Sequence, residues 1–366
     1  MPMKPIVAAS VAFALLWMPN APVFYPAQVK AITAAIEQAG NQLAAVILAH
    51  NPKTVAELEA AYDGATISVV GAVSPVATTS ATSATFVATT SPTRVRVLLV
   101  PGHEPGFGGA EYGSLKERVL NVALADDLQA LLDKDPHYQV FITRDDYAWN
   151  PVFANYFKQN WAGIIAWERA SKVEMNHLIA IGSTTRPVAT EYHNTAPDNV
   201  AIRLYGITKW ANENNIDITI HIHFNDVPNR PANGPGKPTG FAIYVPAEQY
   251  DNSSTTRSIA QAIFNRLKSY TTVSDLPVES EGIISEPGLI AIGANNTANA
   301  ASMLIEYAYI YQHQLTNAKT RAAFLHGLAE QTYLGLRDFF EANSPAATAR
   351  TNTLQKIDQI GSGAVF

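Results

Sequence analysis

The 366-residue chain contains no cysteine, and this absence removes three kinds of chemistry at once. Without thiols the protein has no disulfides, no thiolate metal site and no cysteine nucleophile. A metal ion must therefore be held by His, Asp or Glu side chains. The absence does not fix a cellular compartment, because a domain of this size buries a sufficient core without covalent cross-links.

Charged residues are also scarce, at 15% of the chain, and the formal net charge is −6. The sequence lacks the basic excess with which proteins bind phosphates, so nucleic acid is not expected as a partner. Hydrophobic residues make up 47%, which places the chain among globular proteins rather than disordered ones.

The apolar run near the N-terminus, PIVAASVAFALLWM at residues 5–18, is shorter than the roughly 20 residues that span a bilayer. It follows Lys4 and has the length of the apolar part of an export signal. We therefore expect residues 1–27 to be a signal peptide and the protein to be exported to the periplasm or cell wall. If uncleaved, the segment would attach the chain to a membrane; an ordinary buried N-terminal helix is the alternative.

Composition divides the remainder of the chain. Apolar residues at helical spacing predict a short helical region over residues 28–64. A Thr-, Ala- and Ser-rich stretch without periodicity predicts an extended linker over residues 65–93. The folded domain is predicted at residues 94–342, followed by a flexible tail at residues 343–366.

Within the folded domain, a strand, an amphipathic helix and a second strand follow one another between residues 94 and 146. Such a β-α-β unit favours an α/β fold. An aromatic-rich segment at residues 147–200 then interrupts the alternation and predicts a helical insertion. Its aromatic face would either pack against the parent domain or form a lid over a cleft, and we expect it to gate the cleft.

Two histidines share one face of a predicted strand at residues 216–225. Isoleucines at 216, 218, 220 and 222 line the opposite face, so His221 and His223 point the same way at the end of the strand. One histidine on its own is more often a core residue. A pair beside a loop, together with a third histidine at another strand end, favours a metal site.

That third histidine, His103, ends the apolar strand RVRVLLVPGH and opens a glycine-rich loop that reaches Glu117. Strand ends in α/β sheets face the ligand crevice, and the glycines allow the backbone to bend around a site. The loop matches neither of the glycine-rich phosphate-binding motifs, G-x-x-x-x-G-K-[ST] and G-x-G-x-x-G, so a phosphate-binding loop is disfavoured. His103 and Glu117 are instead expected to converge on one cation.

Glu306 stands alone in the apolar run SMLIEYAYI. A carboxylate is costly to bury as an ion, so it must be paired, associated with a metal or held near a neutral pKa for proton transfer. A structural salt bridge is the simple alternative, whereas the apolar setting favours a general base.

Four motifs in order now carry a resemblance to a known family. They are PGHEPGFGGAEYGSLKE at 101–117, TRDD at 143–146, IHIHFN at 220–225 and LIE at 304–306. Over residues 94–342, apart from the insertion, the chain resembles the zinc-dependent N-acetylmuramoyl-L-alanine amidases of the Amidase_3 type. The resemblance implies a single twisted mixed sheet flanked by helices, here with an N-terminal helical segment and a helical insertion.

The same resemblance implies that His103, Glu117 and His223 bind Zn²⁺ and that Glu306 is the catalytic base. His221 would be a hydrogen-bonding support or an oxyanion donor, and His103, His221 and His223 form an alternative ligand set. No organic cofactor is expected. Glu104 departs from the family pattern, because it occupies the usual position of a glycine.

The implied activity is hydrolysis of the amide bond between N-acetylmuramic acid and L-alanine in peptidoglycan, through Glu-assisted attack by a zinc-bound water. Two imidazoles and one carboxylate suit such a site, because they leave one zinc position open. The alternatives are a zinc amidohydrolase or peptidase of related fold acting on another amide, and a cell-wall binding protein without turnover. The sequence does not indicate an oligomeric state.

Overall fold

The computed structural model describes residues 94–189, 196–231 and 234–343. All the described residues belong to one compact unit of the chain. The predicted signal, the predicted N-terminal helices and linker, and nearly all of the predicted tail lie outside the described residues. Within these ranges, each helix is too short or too polar to span a lipid bilayer.

Six strands form one mixed sheet in the order β4 (Tyr138–Ile142), β1 (Val95–Pro101), β5 (Ile218–Asn225), β8 (Ala301–Tyr309), β6 (Ala242–Val245) and β7 (Ile283–Ser285). Four of them run parallel to one another: β1, β4, β5 and β8. The other two, β6 and β7, run in the opposite direction. A separate two-stranded hairpin, β2 (Glu111–Tyr112) with β3 (Leu115–Lys116), lies between β1 and the first helix.

Helices cover both faces of this sheet. They are α1 (Glu117–Leu132), α2 (Pro151–Ala180), α3 (Asp198–Glu213), α4 (Ser253–Tyr270), the short α5 (His313–Thr316) and α6 (Ala318–Ala342). α1, α4 and α6 pack with the face that carries Leu99, Ile222 and Ile305, whereas α2 and α3 pack with the face that carries Leu98 and Val100. The predicted single mixed sheet flanked by helices is therefore confirmed.

The insertion contains α2, and its first half is part of the core. The side chains of Phe153, Phe157 and Ile164 are buried with Trp210 of α3 against the sheet. Asn150 caps this helix by accepting a hydrogen bond from Val152 N–H, and Pro151 follows at the first helical position, where its missing N–H costs nothing. The aromatic residues thus pack against the domain, and gating of a cleft by this segment stays a prediction.

The strand register brings the chemically interesting positions to one edge of the sheet. Val100 at the end of β1 pairs with His221 of β5, and His223 pairs with Glu306 of β8. Because these strands are parallel, their carboxyl ends lie side by side, where α/β proteins commonly place a binding site. The fold therefore positions the loop after β1, the end of β5 and the end of β8 around one region.

Candidate metal centre

Three of the side chains singled out in the sequence meet at this edge. Glu117 Oε1 lies 2.8 Å from His103 Nε2 and 3.0 Å from His223 Nδ1. One ligand atom from each of the three residues lies within 4.8 Å of the others. The histidine rings meet edge to face, with centroids 4.9 Å apart. His103 and His223 are partly exposed and Glu117 is buried, so the cluster opens to solvent on the histidine side.

The approach of the two histidines requires a glycine between them. A Cβ on Gly102 would lie 2.2 Å from His223 Cε1, well inside van der Waals contact. A Cβ on Gly109, at φ +84, would lie 2.7 Å from His103 Cδ2 and 3.0 Å from Glu117 Oε2. The loop therefore uses glycine where the backbone must pass close to the ligand side chains.

Glu117 is fixed on both carboxylate oxygens. The N–H of Ala110 donates to Oε2 at 2.7 Å, and the N–H of Phe224 donates to Oε1 at 3.2 Å. Burial by itself raises the pKa of Glu117, but its close contacts with the imidazoles of His103 and His223 outweigh burial, so the pKa lies well below its usual range. Glu117 is therefore an anion at neutral pH, as a metal ligand must be.

The residues present fit a zinc ion. The buried Nε2 of His103 has no aligned hydrogen-bond partner within the described part of the chain, although Glu117 Oε1 lies close by. Burial also lowers the pKa of His223, opposed by Glu117, which favours the neutral imidazole that binds metals. Two imidazole nitrogens and one carboxylate oxygen that converge in this way match the three protein ligands of a catalytic zinc site.

His221 lies outside this cluster. The residue is 1% exposed, and burial together with the neighbouring His223 lowers its pKa to about 3, so the ring is neutral at physiological pH. It hydrogen-bonds the backbone of Ala291, while its Nε2 has no partner among the described residues. Such burial favours a supporting role within the sheet over direct contact with a substrate.

Glu306 lies beside His223 because the two residues are paired across β5 and β8. Paired positions on neighbouring strands direct their side chains to the same face of the sheet. Glu306 is partly exposed, in contrast to the apolar residues on either side of it in β8. Its carboxylate is therefore on the same face as one candidate ligand, as a base acting at the metal requires.

Arg144, which lies in the TRDD motif, supports both halves of the cluster, and sequence reasoning gave it no role. Its guanidinium donates to the carbonyls of Pro101 and Gly102, just before His103, and to the carbonyl of Arg118, just after Glu117. Burial lowers its pKa to about 10, so it remains a cation at neutral pH. Asn121 also donates to the Gly102 carbonyl, at 3.2 Å.

Glu104, which departs from the family pattern, has a defined partner. Its Oε1 lies 2.8 Å from Nε of Arg203 on α3, and the carboxylate is buried. Glu104 and Arg203 are far apart in sequence, so no local pattern could have connected them.

A third buried carboxylate, Glu279, joins three strands. It accepts hydrogen bonds from Asn225 of β5, Tyr244 of β6 and Tyr309 of β8. Asn225 is two residues from His223, so this network fixes the strand end that carries the candidate ligand. Charge-assisted hydrogen bonds of this kind make the burial of a carboxylate tolerable.

Part of the chain matches a known protein family. The family model described as N-acetylmuramoyl-L-alanine amidase, Amidase_3, matches residues 171–338, just under half of the chain. The match includes His223 and Glu306 but begins after His103 and Glu117, which join them only in the folded structure. No curated protein sequence matches the chain.

Several solved structures are similar. An N-acetylmuramoyl-L-alanine amidase from Clostridium difficile 630 has 17% identity and a TM-score of 0.44, covering 69% of this chain and 100% of its own. Ami1 from Mycobacterium smegmatis has 13% identity and a TM-score of 0.44, with 69% and 100% covered. AmiC2 of Nostoc punctiforme has 15% identity and a TM-score of 0.40, with 68% and 97% covered.

At TM-scores below 0.5, these likenesses do not bear on substrate or mechanism. The family match agrees with the resemblance that the four sequence motifs carry. Over residues 171–338 this chain is therefore similar to the Amidase_3 family of N-acetylmuramoyl-L-alanine amidases.

Proposed function

We propose that this protein hydrolyses the amide bond between N-acetylmuramic acid and the L-alanine of the peptidoglycan stem peptide, with Zn²⁺ held by His103, Glu117 and His223. The observation that carries the proposal is the convergence of these three ligand atoms within 4.8 Å, with Glu306 in register beside His223. The family match supports this substrate class.

Each residue has a role that follows from its position. A zinc ion at this site would polarise the scissile carbonyl and lower the pKa of the attacking water. Glu117 provides a negatively charged oxygen and the two histidines provide imidazole nitrogens, and the opening of the cluster towards solvent leaves room for a substrate. Glu306 accepts the proton of the attacking water and returns it to the leaving amine of L-alanine.

We further propose that the protein acts outside the cytoplasm, because its substrate is a cell-wall polymer and its first residues have the pattern of an export signal. Fractionation of cells that express the full chain tests this proposal. Recovery of the protein in the periplasm or cell wall supports export, and recovery in the cytoplasm contradicts it.

The activity is tested with purified protein, intact peptidoglycan and mass spectrometry of the soluble products. With zinc we expect stem peptides that begin with a free L-alanine, and none after treatment with a chelator. Glu306→Gln should still bind zinc but lose at least about 100-fold in kcat, the scale of general acid–base catalysis. Peptides cleaved at another amide bond would instead indicate a peptidase, and zinc binding without any product would indicate a wall-binding protein.

A further inference from the structure

The loop that carries His103 has little apolar packing of its own. Between β1 and β2 it contains Gly106, Gly108 and Gly109, and Phe107 at its tip is exposed. His103 itself has φ 69, in the left-handed region that side chains other than glycine seldom adopt. A residue held in this conformation needs contacts from the surrounding structure.

Glu104 provides such a contact directly after His103. The residue is 6% exposed, and its Oε1 accepts a hydrogen bond at 2.8 Å from Nε of Arg203. Arg203 lies on α3, and its guanidinium carbon is 5.9 Å from the ring centroid of Trp161 on α2. The start of the loop is thereby joined to the helical layer that contains the insertion.

A second ion pair, between β2 and the first turn of α1, offers an internal comparison. Arg118 lies 3.0 Å from Glu111, close to the distance in the first pair, but Glu111 has a side chain that is 56% exposed. Exposed pairs contribute little, because water and salt screen them. Removal of one partner from a buried pair leaves an uncompensated charge in a low-dielectric site, which distorts the structure around it. The Glu104–Arg203 pair is therefore the one able to set the conformation of the loop.

We propose that the Glu104–Arg203 ion pair is a positioning device that orients His103 for the metal and makes metal affinity depend on the α2–α3 layer. This inference rests on the zinc site of the proposed function. It also explains why position 104 carries a glutamate where the family pattern has a glycine. A glycine would make the backbone more flexible, whereas the glutamate side chain connects the loop to α3 through Arg203.

A double-mutant cycle on the full chain tests the proposal. Glu104→Gln, Arg203→Gln and the double variant are compared for zinc Kd, by competition with a chromophoric chelator, and for the melting temperature of the metal-free protein. We expect each single variant to raise the Kd for zinc about 10- to 100-fold, the scale seen for residues that orient metal ligands. The double variant should be no worse than the poorer single variant, because both remove the same interaction.

The exposed pair is the matched control. Glu111→Gln makes the same chemical change at an exposed carboxylate in β2, next to this loop, and should leave the Kd for zinc within about twofold. With saturating zinc, Glu104→Gln should regain wild-type kcat with an unchanged KM, since the ion pair touches the metal loop rather than the substrate. If Glu104→Gln does not fold, Arg203→Lys, which keeps the charge but loses the Nε donor, is expected to show the same rise in Kd.

Two results would overturn the proposal. An unchanged Kd for zinc with a lower melting temperature would make the pair a purely structural contact. An unchanged Kd with a raised KM for peptidoglycan would make Arg203 a substrate contact. A wild-type protein that binds no zinc would contradict the proposed function itself, so the two failures are distinguishable.

Discussion

The two candidate histidine ligands come from unlike parts of the molecule. His223 lies within β5, hydrogen-bonded to strands on both sides, and its neighbours Ile222 and Phe224 are buried in the core. His103 lies in a glycine-rich loop at a positive φ, and its position depends on polar contacts made by Arg144, Asn121 and Glu104. One ligand is placed by the sheet, and the other is placed by side chains that arrive from distant segments.

This difference suggests that the site has a rigid half and an adjustable half. A strand inside a sheet moves only if its ladder breaks, whereas a loop held by a few hydrogen bonds shifts when one bond is lost. Glu117 bridges the two halves, since it contacts both histidines from the first turn of α1. Changes on the loop side should therefore alter metal affinity without unfolding the domain.

The largest expected effect comes from removing a ligand. His223→Ala and His103→Ala should each weaken zinc binding by more than about 100-fold, because a zinc site loses more from a missing ligand than from a missing support. Titration calorimetry measures this loss, and circular dichroism checks that each variant is folded. Equal affinity in either variant would exclude that residue from the ligand set.

The next effect tests the close approach between the two halves. Gly102→Ala places a methyl group where the His223 ring lies, so the ring must turn away, and we expect zinc affinity to fall about 100-fold. Gly106→Ala is the matched control, since its added Cβ meets no atom within 4 Å. If both variants bind zinc alike, the two rings are not held together as described.

A smaller loss is expected for Arg144→Lys. Lysine keeps the positive charge but lacks the planar fork that donates to the carbonyls around His103 and Glu117. We expect the Kd for zinc to rise about tenfold, with the His223 side unaffected. NMR spectra of the metal-free protein measure the effect on each histidine ring separately. A chemical-shift change confined to the ring of His223 would contradict the prediction that Arg144 acts on the His103 side.

The smallest effect concerns backbone strain at His103 alone. At φ 69, glycine is more favourable than any residue with a Cβ, so the metal-free His103→Gly should be more stable than His103→Ala by about 1 kcal/mol. Urea unfolding of both variants measures the difference. Equal stability, or a more stable alanine variant, would show that the loop relaxes out of the left-handed region when the imidazole is removed.

Much of the architecture could be read from local patterns. Alternation in β5 placed His221 and His223 on one face, and the β-α-β order at residues 94–146 predicted the α/β sheet. The spacing of apolar residues is visible in a linear sequence because strands and helices each repeat their side-chain directions at a fixed period. The contacts of Arg144 and Glu104 left no such signal, since their partners are set by how distant elements pack.

The sequence by itself determined the donor types, because a chain without cysteine offers only His and carboxylate ligands for zinc, and it determined which strand ends carry them. Only the tertiary structure decided which of these donors meet. The register of β5 against β1 and β8, and the helix start at Glu117, bring His103, Glu117 and His223 within 4.8 Å while His221 lies outside the cluster. The physical reason is that metal ligands must lie within a few ångströms of one another. His223 is more than 100 residues from Glu117 in sequence, so only the packing of distant elements can fix the distance between them.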